Sequence, residues 1–181
     1  MSKFKGKRVL VVGFGKSGVS AARFMAAEGA RVTVTDMKQK TELAESVAAC
    51  ADLKIEYELG RHNGRTFATS ELILLSPGIP LNSKFLEEAR AANVPITNEI
   101  EIAASALQVP LITGETPVDE RERLFEAFRN GSLTQLVVSK VANFSVDLPE
   151  ASVAVQISGS YGSRQEEAQR LGRLLRPKAD G

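Results

Sequence analysis

The chain has 181 residues, of which 43% are hydrophobic and 25% charged, an ordinary balance for a soluble globular protein. The formal net charge of +1 argues against a global positive field that recruits nucleic acid, and the single cysteine, Cys50, excludes an internal disulfide and a cysteine-rich zinc site. No apolar run approaches the roughly 18 residues of a membrane span and no signal peptide opens the chain, so we expect a cytoplasmic protein without a membrane partner.

Short β-rich runs alternate with helical patterns over the first part of the chain, which predicts an α/β fold with a parallel sheet. The predicted strands are 8–12, 31–35, 54–57, 71–75 and 94–97, and the predicted helices are 16–28, 41–51, 84–92 and 99–107. The stretch 60–69 is polar and contains two glycines, so we predict a loop there. The lone histidine, His62, lies in this stretch and is expected to be a polar loop residue.

A second series of strands and helices follows without a linker rich in proline, glycine or serine. Its predicted strands are 110–113, 135–139 and 153–158, and its predicted helices are 119–129 and 163–175. The missing linker leaves room for one continuous sheet as well as for two small domains.

A glycine-rich motif directly follows the first predicted strand and opens the first predicted helix. Residues 13–18 read GFGKSG, which matches the pattern G-x-G-x-x-G. In that pattern Gly13 permits a tight turn, Gly15 lets a diphosphate approach the backbone, and Gly18 allows close packing of helix on strand. Asp36 ends the second strand, about where an acid that binds a ribose belongs. Together these features predict a site for a nucleotide diphosphate.

The same run does not form the phosphate loop of a nucleoside triphosphatase. That motif requires a further glycine five positions before Gly15, and the chain has Leu10 there. We therefore expect no cradle for a triphosphate and no ATPase activity.

The N-terminal part resembles the N-terminal domain of UDP-N-acetylmuramoylalanine–D-glutamate ligases, the MurD type, over roughly residues 3–107. The resemblance is carried by GKRVLVVGFGKSGVSAARFMAAEGARVTVTD and by ELILLSPGIPLNSKFLEEARAANVPITNEIEIAA. In that family the domain binds the UDP end of the substrate. The resemblance implies phosphate contacts for Gly15, Lys16, Ser17 and Gly18, a uridine site at Asp36, Met37 and Lys38, and the other side of that site at Ser76, Pro77 and Gly78.

The chain departs from the ligase pattern after its sixth strand. The family continues there with ITGTNGKST, its ATP-binding loop, whereas this sequence reads ITGETPVDER. The resemblance thus implies that the ATPase core and ligase activity are missing.

Residues 108–181 are similar to the second RecA-like lobe of XPB-type superfamily 2 DNA helicases. The similarity is carried by VPLITGETPVDERERLFEAF and by LVVSKVANFSVDLPEASVAVQISGSYGSRQEEAQRLGRLLRPKADG. In those helicases the last motif, QRxGRxxR, stabilises charge on the γ-phosphate of ATP held by another lobe. It falls here on Gln169, Arg170, Arg173 and Arg176. With that other lobe absent, we expect a vestigial motif on a solvated helix face.

The two resemblances together imply a doubly wound Rossmann-like and RecA-like fold. The ligase segment (1–107) would contribute the strand order 3-2-1-4-5, and the partial helicase segment (108–181) would add its strands beyond the fifth. The hypothesis is one merged parallel sheet of about eight strands in the order 3-2-1-4-5-8-7-6. The alternative is two small α/β domains.

These observations lead to three functional hypotheses. The first is a recombined or designed α/β protein without catalytic activity, metal or required cofactor, which binds UDP or a UDP-sugar weakly at the glycine loop. The second is a nucleic-acid-binding helicase-lobe fragment that uses Lys140, Arg164, Arg170 and Arg173, against which the near-neutral charge counts. The third is an NAD-dependent oxidoreductase, suggested by the glycine motif with Asp36. We expect a monomer or a homodimer paired through exposed sheet edges.

Overall fold

We analysed a computed structural model of the chain, in which residues 2–138 are described. The chain divides into two compact units, Met1–Ala103 and Ala104–Gly181. The first unit is an α/β fold of Rossmann type around a five-stranded parallel sheet in the order β3-β2-β1-β4-β5. Its strands are β1 (Arg8–Val12), β2 (Arg31–Asp36), β3 (Ile55–Leu59), β4 (Leu72–Leu75) and β5 (Ile96–Asn98). The predicted order of these five strands is confirmed.

Four helices and one short 3₁₀ segment connect these strands, and a fifth helix follows the last of them. They are α1 (Lys16–Ala27), α2 (Ala44–Ala48), α3 (Gly64–Thr69), a 3₁₀ turn (Lys84–Leu86) that leads into α4 (Glu87–Ala91), and α5 (Glu99–Leu107) after β5. Helix α5 starts sharply because the Asn98 side chain accepts hydrogen bonds from the backbone N–H groups of Ile100 and Glu101, both at 3.0 Å.

The central strand β1 is buried on both faces, as expected for a parallel sheet covered by helices on both sides. Val9 and Val11 belong to one hydrophobic core, together with Ala22 and Met25 of α1. Leu10 and Val12 belong to a second core on the opposite face, which includes Phe67 of α3 and Ala89 of α4. The period-two alternation of side chains along β1 thus divides the interior into two layers.

Three predicted elements differ in the structure. The stretch 60–69 is not all loop, because α3 occupies Gly64–Thr69 and its first turn is capped by the Asn63 side chain, which accepts a hydrogen bond from the Arg65 N–H at 3.2 Å. The asparagine followed by glycine therefore acts as a helix start rather than as a turn. The predicted helix 41–51 is shortened to Ala44–Ala48, and the predicted helix 84–92 begins as the 3₁₀ turn.

Helix α1 packs closely on β1 because one position of α1 has no side chain. A Cβ atom added at Gly18 would lie 2.0 Å from the backbone oxygen of Gly13. This contact is between backbone atoms, so no side-chain rotation relieves it. Gly18 therefore sets how near α1 approaches the end of β1.

The second unit contains a parallel pair of short strands, β6 (Leu111–Ile112) and β7 (Val137–Val138), with α6 (Val118–Arg129) between them in sequence. Phe125 is the buried residue of α6. The predicted strand 153–158 and helix 163–175 lie outside the described residues. The merged eight-stranded sheet requires that strand and so stays a prediction. Within residues 2–138, no helix is long and apolar enough to cross a membrane.

We predict that Gly18→Ala destabilises the protein, since the new methyl group must displace backbone at the start of α1. Overpacking of this kind costs about 1–3 kcal/mol in free energy of unfolding, which urea denaturation followed by circular dichroism measures. Gly15→Ala is the matched control: a Cβ there meets no atom within 4 Å, and the residue's φ of −77° suits any amino acid. Equal stability of the two variants would contradict the packing role of Gly18.

Candidate functional site

An open cleft of about 540 Å³ lies at the carboxyl ends of β1, β2 and β4. The strand order reverses between β1 and β4. Strands β2 and β3 lie on one side of β1, whereas β4 and β5 lie on its other side. Open α/β sheets bind ligands at such a reversal. The cleft is lined by Gly13, Phe14, Gly15, Lys16, Ser17, Gly18, Asp36, Met37, His62, Ser76, Pro77, Gly78, Ile79, Pro80, Ser83 and Phe85.

The glycine loop forms one wall of the cleft, and its three glycines have different surroundings. Gly13 has a φ of +88°, which side-chain-bearing residues rarely adopt, and a Cβ there would lie 3.0 Å from the Cβ of Ser76. Gly15, by contrast, has open space where its Cβ would be. It precedes α1, whose N-terminus has no side-chain cap. The loop thus leaves uncapped backbone N–H groups beside an empty volume.

Asp36 holds the glycine loop to the end of β2. Its Oδ2 accepts a hydrogen bond from the backbone N–H of Phe14 at 2.6 Å, and its Oδ1 accepts one from the N–H of Lys38 at 2.9 Å. The N–H of Gly13 adds a bond to the backbone oxygen of Thr35 at 2.9 Å. A carboxylate has about four lone-pair sites, so Asp36 retains acceptor capacity toward the cleft.

The turn that follows β4 closes the loop from the other side. The Ser76 hydroxyl donates a hydrogen bond to the backbone oxygen of Gly13 at 3.0 Å, and the Ser76 N–H donates to that of Val12 at 2.9 Å. Gly78 has a φ of +91° and turns the chain away from β4. Ser76 thus ties the turn to the glycine loop, and the positive φ at position 78 favours glycine there.

His62 lies between the two sides of the cleft. Its Nδ1 is 2.9 Å from the hydroxyl oxygen of Thr35 at the end of β2, and its ring centroid is 4.4 Å from that of Phe85, which follows β4. The ring of Phe67 adds a further, nearly perpendicular ring contact, with the two centroids 5.6 Å apart. Burial lowers the pKa of His62, and the charges of Asp36 and Glu58 partly oppose this shift.

The structure brings together ten of the eleven residues predicted for the ligand site. They are Gly13, Gly15, Lys16, Ser17, Gly18, Asp36, Met37, Ser76, Pro77 and Gly78. The exception is Lys38, which does not line the cleft and contributes a backbone N–H to Asp36. The predicted motif of Gln169, Arg170, Arg173 and Arg176 lies outside the described residues.

Sequence reasoning missed six residues of the cleft, which are His62, Ser83 and the apolar residues Phe14, Ile79, Pro80 and Phe85. One signal was available for His62, since it follows β3 by three positions and residues after parallel strands gather at one edge of the sheet. Phe85 carried no such signal, because it lies well beyond β4 in sequence. Within residues 2–138, no group of three or more histidine, cysteine, aspartate or glutamate residues is arranged to hold a metal ion.

Comparison with known protein families identifies two segments. The Mur ligase MurD-like N-terminal domain family matches residues 7–98, and the ERCC3/RAD25/XPB C-terminal helicase family matches residues 97–181. The boundary between these matches lies close to the predicted change of family near residue 107.

Curated relatives exist for both segments. The UDP-N-acetylmuramoylalanine–D-glutamate ligase of Geotalea daltonii is 46% identical over 110 residues, which are 61% of this chain and 24% of the ligase. The ligase of Geobacter sp. strain M21 is 38% identical over 164 residues, covering 86% of this chain and 36% of the ligase. The DNA 3'-5' helicase XPB of Kineococcus radiotolerans is 68% identical over 83 residues, covering 46% of this chain and 15% of the helicase.

The chain therefore spans between 15% and 36% of the length of these relatives. The family match over residues 7–98, about half of the chain, covers the five-stranded sheet and the cleft at its edge. This protein belongs to the family of MurD-like Mur ligase N-terminal domains, and its C-terminal part is homologous to the ERCC3/XPB C-terminal helicase region.

Proposed function

We propose that this protein binds a UDP-type nucleotide diphosphate in the cleft at the glycine loop and catalyses no reaction on it. The observation that carries the proposal is the open volume over Gly15, directly beside the uncapped N-terminus of α1. A side chain at position 15 would occupy the volume that a diphosphate needs. The membership of residues 7–98 in the MurD-like family supports a uridine as the base.

The diphosphate end of the ligand would lie at the start of α1. Backbone N–H groups of the first turn carry a partial positive charge from the helix dipole, and they have no partner within the helix. Anions bind at such helix ends for this reason. Lys16 lines the same cleft and adds a formal positive charge.

The uridine end would lie between Met37 and the turn Ser76–Gly78. Met37 is 62% exposed although its side chain is apolar, so a base placed there would remove apolar surface from water. Pro77 faces the cleft on the opposite side and offers a second apolar surface. The polar edge of the base would face Asp36, whose carboxylate keeps free lone pairs.

The proposal that no reaction follows rests on the loop after β6. In the ligase pattern ITGTNGKST this loop carries the lysine that contacts ATP, whereas this chain reads ITGETPVDE and has Val118 at the lysine's position. The loop also contains Glu115, whose N–H donates to the Thr113 hydroxyl at 3.2 Å. The Thr116 hydroxyl accepts a hydrogen bond from the Thr113 N–H at 2.9 Å and so closes a compact turn. The loop thus lacks the lysine's positive charge, and the carboxylate of Glu115 in the same loop repels a triphosphate.

A thermal-shift panel tests the ligand class. We expect UDP and UDP-N-acetylglucosamine at millimolar concentration to raise the midpoint of unfolding, and NAD and ATP to leave it unchanged. A ligand at 100 times its dissociation constant adds about 2.7 kcal/mol to the free energy of unfolding, which is readily visible. A shift with NAD alone would instead favour the oxidoreductase hypothesis, and no shift with any of the four compounds would overturn the proposal.

We predict that Gly15→Val weakens binding of UDP-N-acetylglucosamine about tenfold or more, equivalent to about 1.4 kcal/mol, because the side chain fills the volume of the diphosphate. The variant should fold normally, since no protein atom lies within 4 Å of the added Cβ. Gly114→Val is the matched control, because Gly114 has the same open surroundings and does not line the cleft. Calorimetric affinities that are equal for both variants would place the ligand elsewhere.

A second candidate function is DNA binding by the C-terminal segment. It is favoured by the family match over residues 97–181 and by the 68% identity to a DNA 3'-5' helicase. Fluorescence anisotropy with a labelled single strand at about 50 and 200 mM salt tests it, since contacts to several phosphates lose affinity steeply over that range. The near-neutral net charge leads us to expect no salt-dependent binding.

A further inference from the structure

We propose that His62 is a ligand-contacting residue of the cleft, which uses Nε2 to bind a phosphate oxygen of the nucleotide while Nδ1 is anchored on Thr35. This inference rests on the proposed function and assigns a residue outside the glycine motif. Four features of the structure support it: the position of the ring, its anchor, its free nitrogen and the charges around it.

The imidazole ring of His62 lies where a ligand at the carboxyl ends of the strands would pass. His62 lines the same cleft as the glycine loop, and it bridges the end of β2 and the segment after β4. The strand order reverses between these two sides. A ligand that extends from the start of α1 across the reversal therefore passes beside the imidazole.

The anchor fixes the orientation of the imidazole. Thr35 is fully buried, so its hydroxyl holds Nδ1 in a site without competition from water. The rings of Phe67 and Phe85 contact the imidazole as well and restrict its rotation. A side chain held in this way is preorganised and loses little conformational entropy when a ligand binds.

The second ring nitrogen is available to the ligand. Across residues 2–138, the hydrogen bond of the His62 ring is the one between Nδ1 and the Thr35 hydroxyl, and Nε2 has no protein partner. The hydroxyl of Thr35 lies 2.9 Å from Nδ1 but 3.4 Å from the backbone oxygen of Arg61, so the better geometry has the hydroxyl donating to Nδ1. In that arrangement the proton of the neutral imidazole is on Nε2, which is then a donor.

The protonation of the His62 ring depends on the charges around it, including that of a bound anion. The titratable groups that act on His62 are the carboxylates of Asp36 at the end of β2 and of Glu58 on β3, and the ammonium of Lys16 lines the same cleft. Burial lowers the pKa of the free imidazole and so favours its neutral form. A bound diphosphate adds negative charge beside the ring and favours its protonated form.

The consequence is that ligand binding and proton binding are coupled. Because the pKa of His62 is higher in the complex than in the free protein, the affinity for the ligand rises as the pH falls from about 8 toward 5.5. A rise of one pKa unit corresponds to about tenfold in affinity.

The experiment uses UDP-N-acetylglucosamine, whose diphosphate is esterified at both ends and does not titrate in this range. His62 is the only histidine in the sequence, so proton NMR follows its titration without ambiguity. We expect a pKa below the ordinary value of about 6.5 in the free protein and an increase of at least about half a unit with saturating ligand. For a half-unit rise, calorimetry should show up to about threefold tighter binding at pH 5.5 than at pH 8, because the full factor is reached only below both pKa values.

Two variants separate ligand contact from structural support. The amide of His62→Asn can keep the bond to Thr35 but does not extend to the position of Nε2, whereas His62→Gln reaches that position without titrating. We expect His62→Asn to fold with a similar unliganded thermal midpoint and to bind about tenfold more weakly at pH 5.5. His62→Gln should bind with an affinity that no longer depends on pH.

Failure of the inference on His62 can be distinguished from failure of the proposed function. Failure of the wild-type protein to bind UDP-N-acetylglucosamine at any pH overturns the proposed function and this inference with it. Binding with an unchanged pKa of His62 overturns this inference alone, and so does binding by His62→Asn that equals the wild type at every pH. The NMR titration on the wild-type protein decides the question even where a variant fails to fold.

Discussion

The cleft depends on the hydrogen bonds that tie the glycine loop to the strands on either side of it. Asp36 accepts the Phe14 N–H from the side of β2, and Ser76 donates to the oxygen of Gly13 from the side of β4. Gly18 then allows α1 to lie against Gly13 without a clash. With both ends of the loop held, the first turn of α1 stays directed at the cleft. An anion site built from backbone N–H groups needs this fixed direction, because it has no flexible side chain that could compensate for a shift.

The strands and the glycine loop could be predicted from the residues themselves, whereas the strand order and the turn after β4 were implied by the resemblance to the MurD-type domain. In a parallel sheet the buried strands read as apolar runs, and the polar residues that follow them gather at the carboxyl edge. Gly13, Asp36 and Ser76 each directly follow such a run, so their convergence could be anticipated. Helix α3 was missed because Asn63 and Gly64 are typical of a turn, and only the capping bond to Arg65 shows that they begin a helix.

The residues that sequence reasoning missed are brought to the cleft by packing rather than by motif. His62 and Phe85 come from separate connections, and their contact depends on how α3 and α4 pack on the same face of the sheet. No local pattern encodes that packing. Lys38, which the resemblance placed near the uridine, contributes its backbone N–H to the carboxylate of Asp36. The positions of His62 and Phe85 in the cleft thus became clear only from the structure.

The homology of the chain divides between two families, and the described site lies entirely within the MurD-like segment. The central claim is that this site accepts a nucleotide diphosphate at the N-terminus of α1. The most direct measurement is a nitrogen-15 NMR titration of the full chain with UDP-N-acetylglucosamine. The account predicts that the backbone amide signals of Lys16, Ser17 and Gly18 move in a saturable manner while those of α6 stay in place. Saturable shifts that avoid these three amides, or no shifts at all, would contradict it.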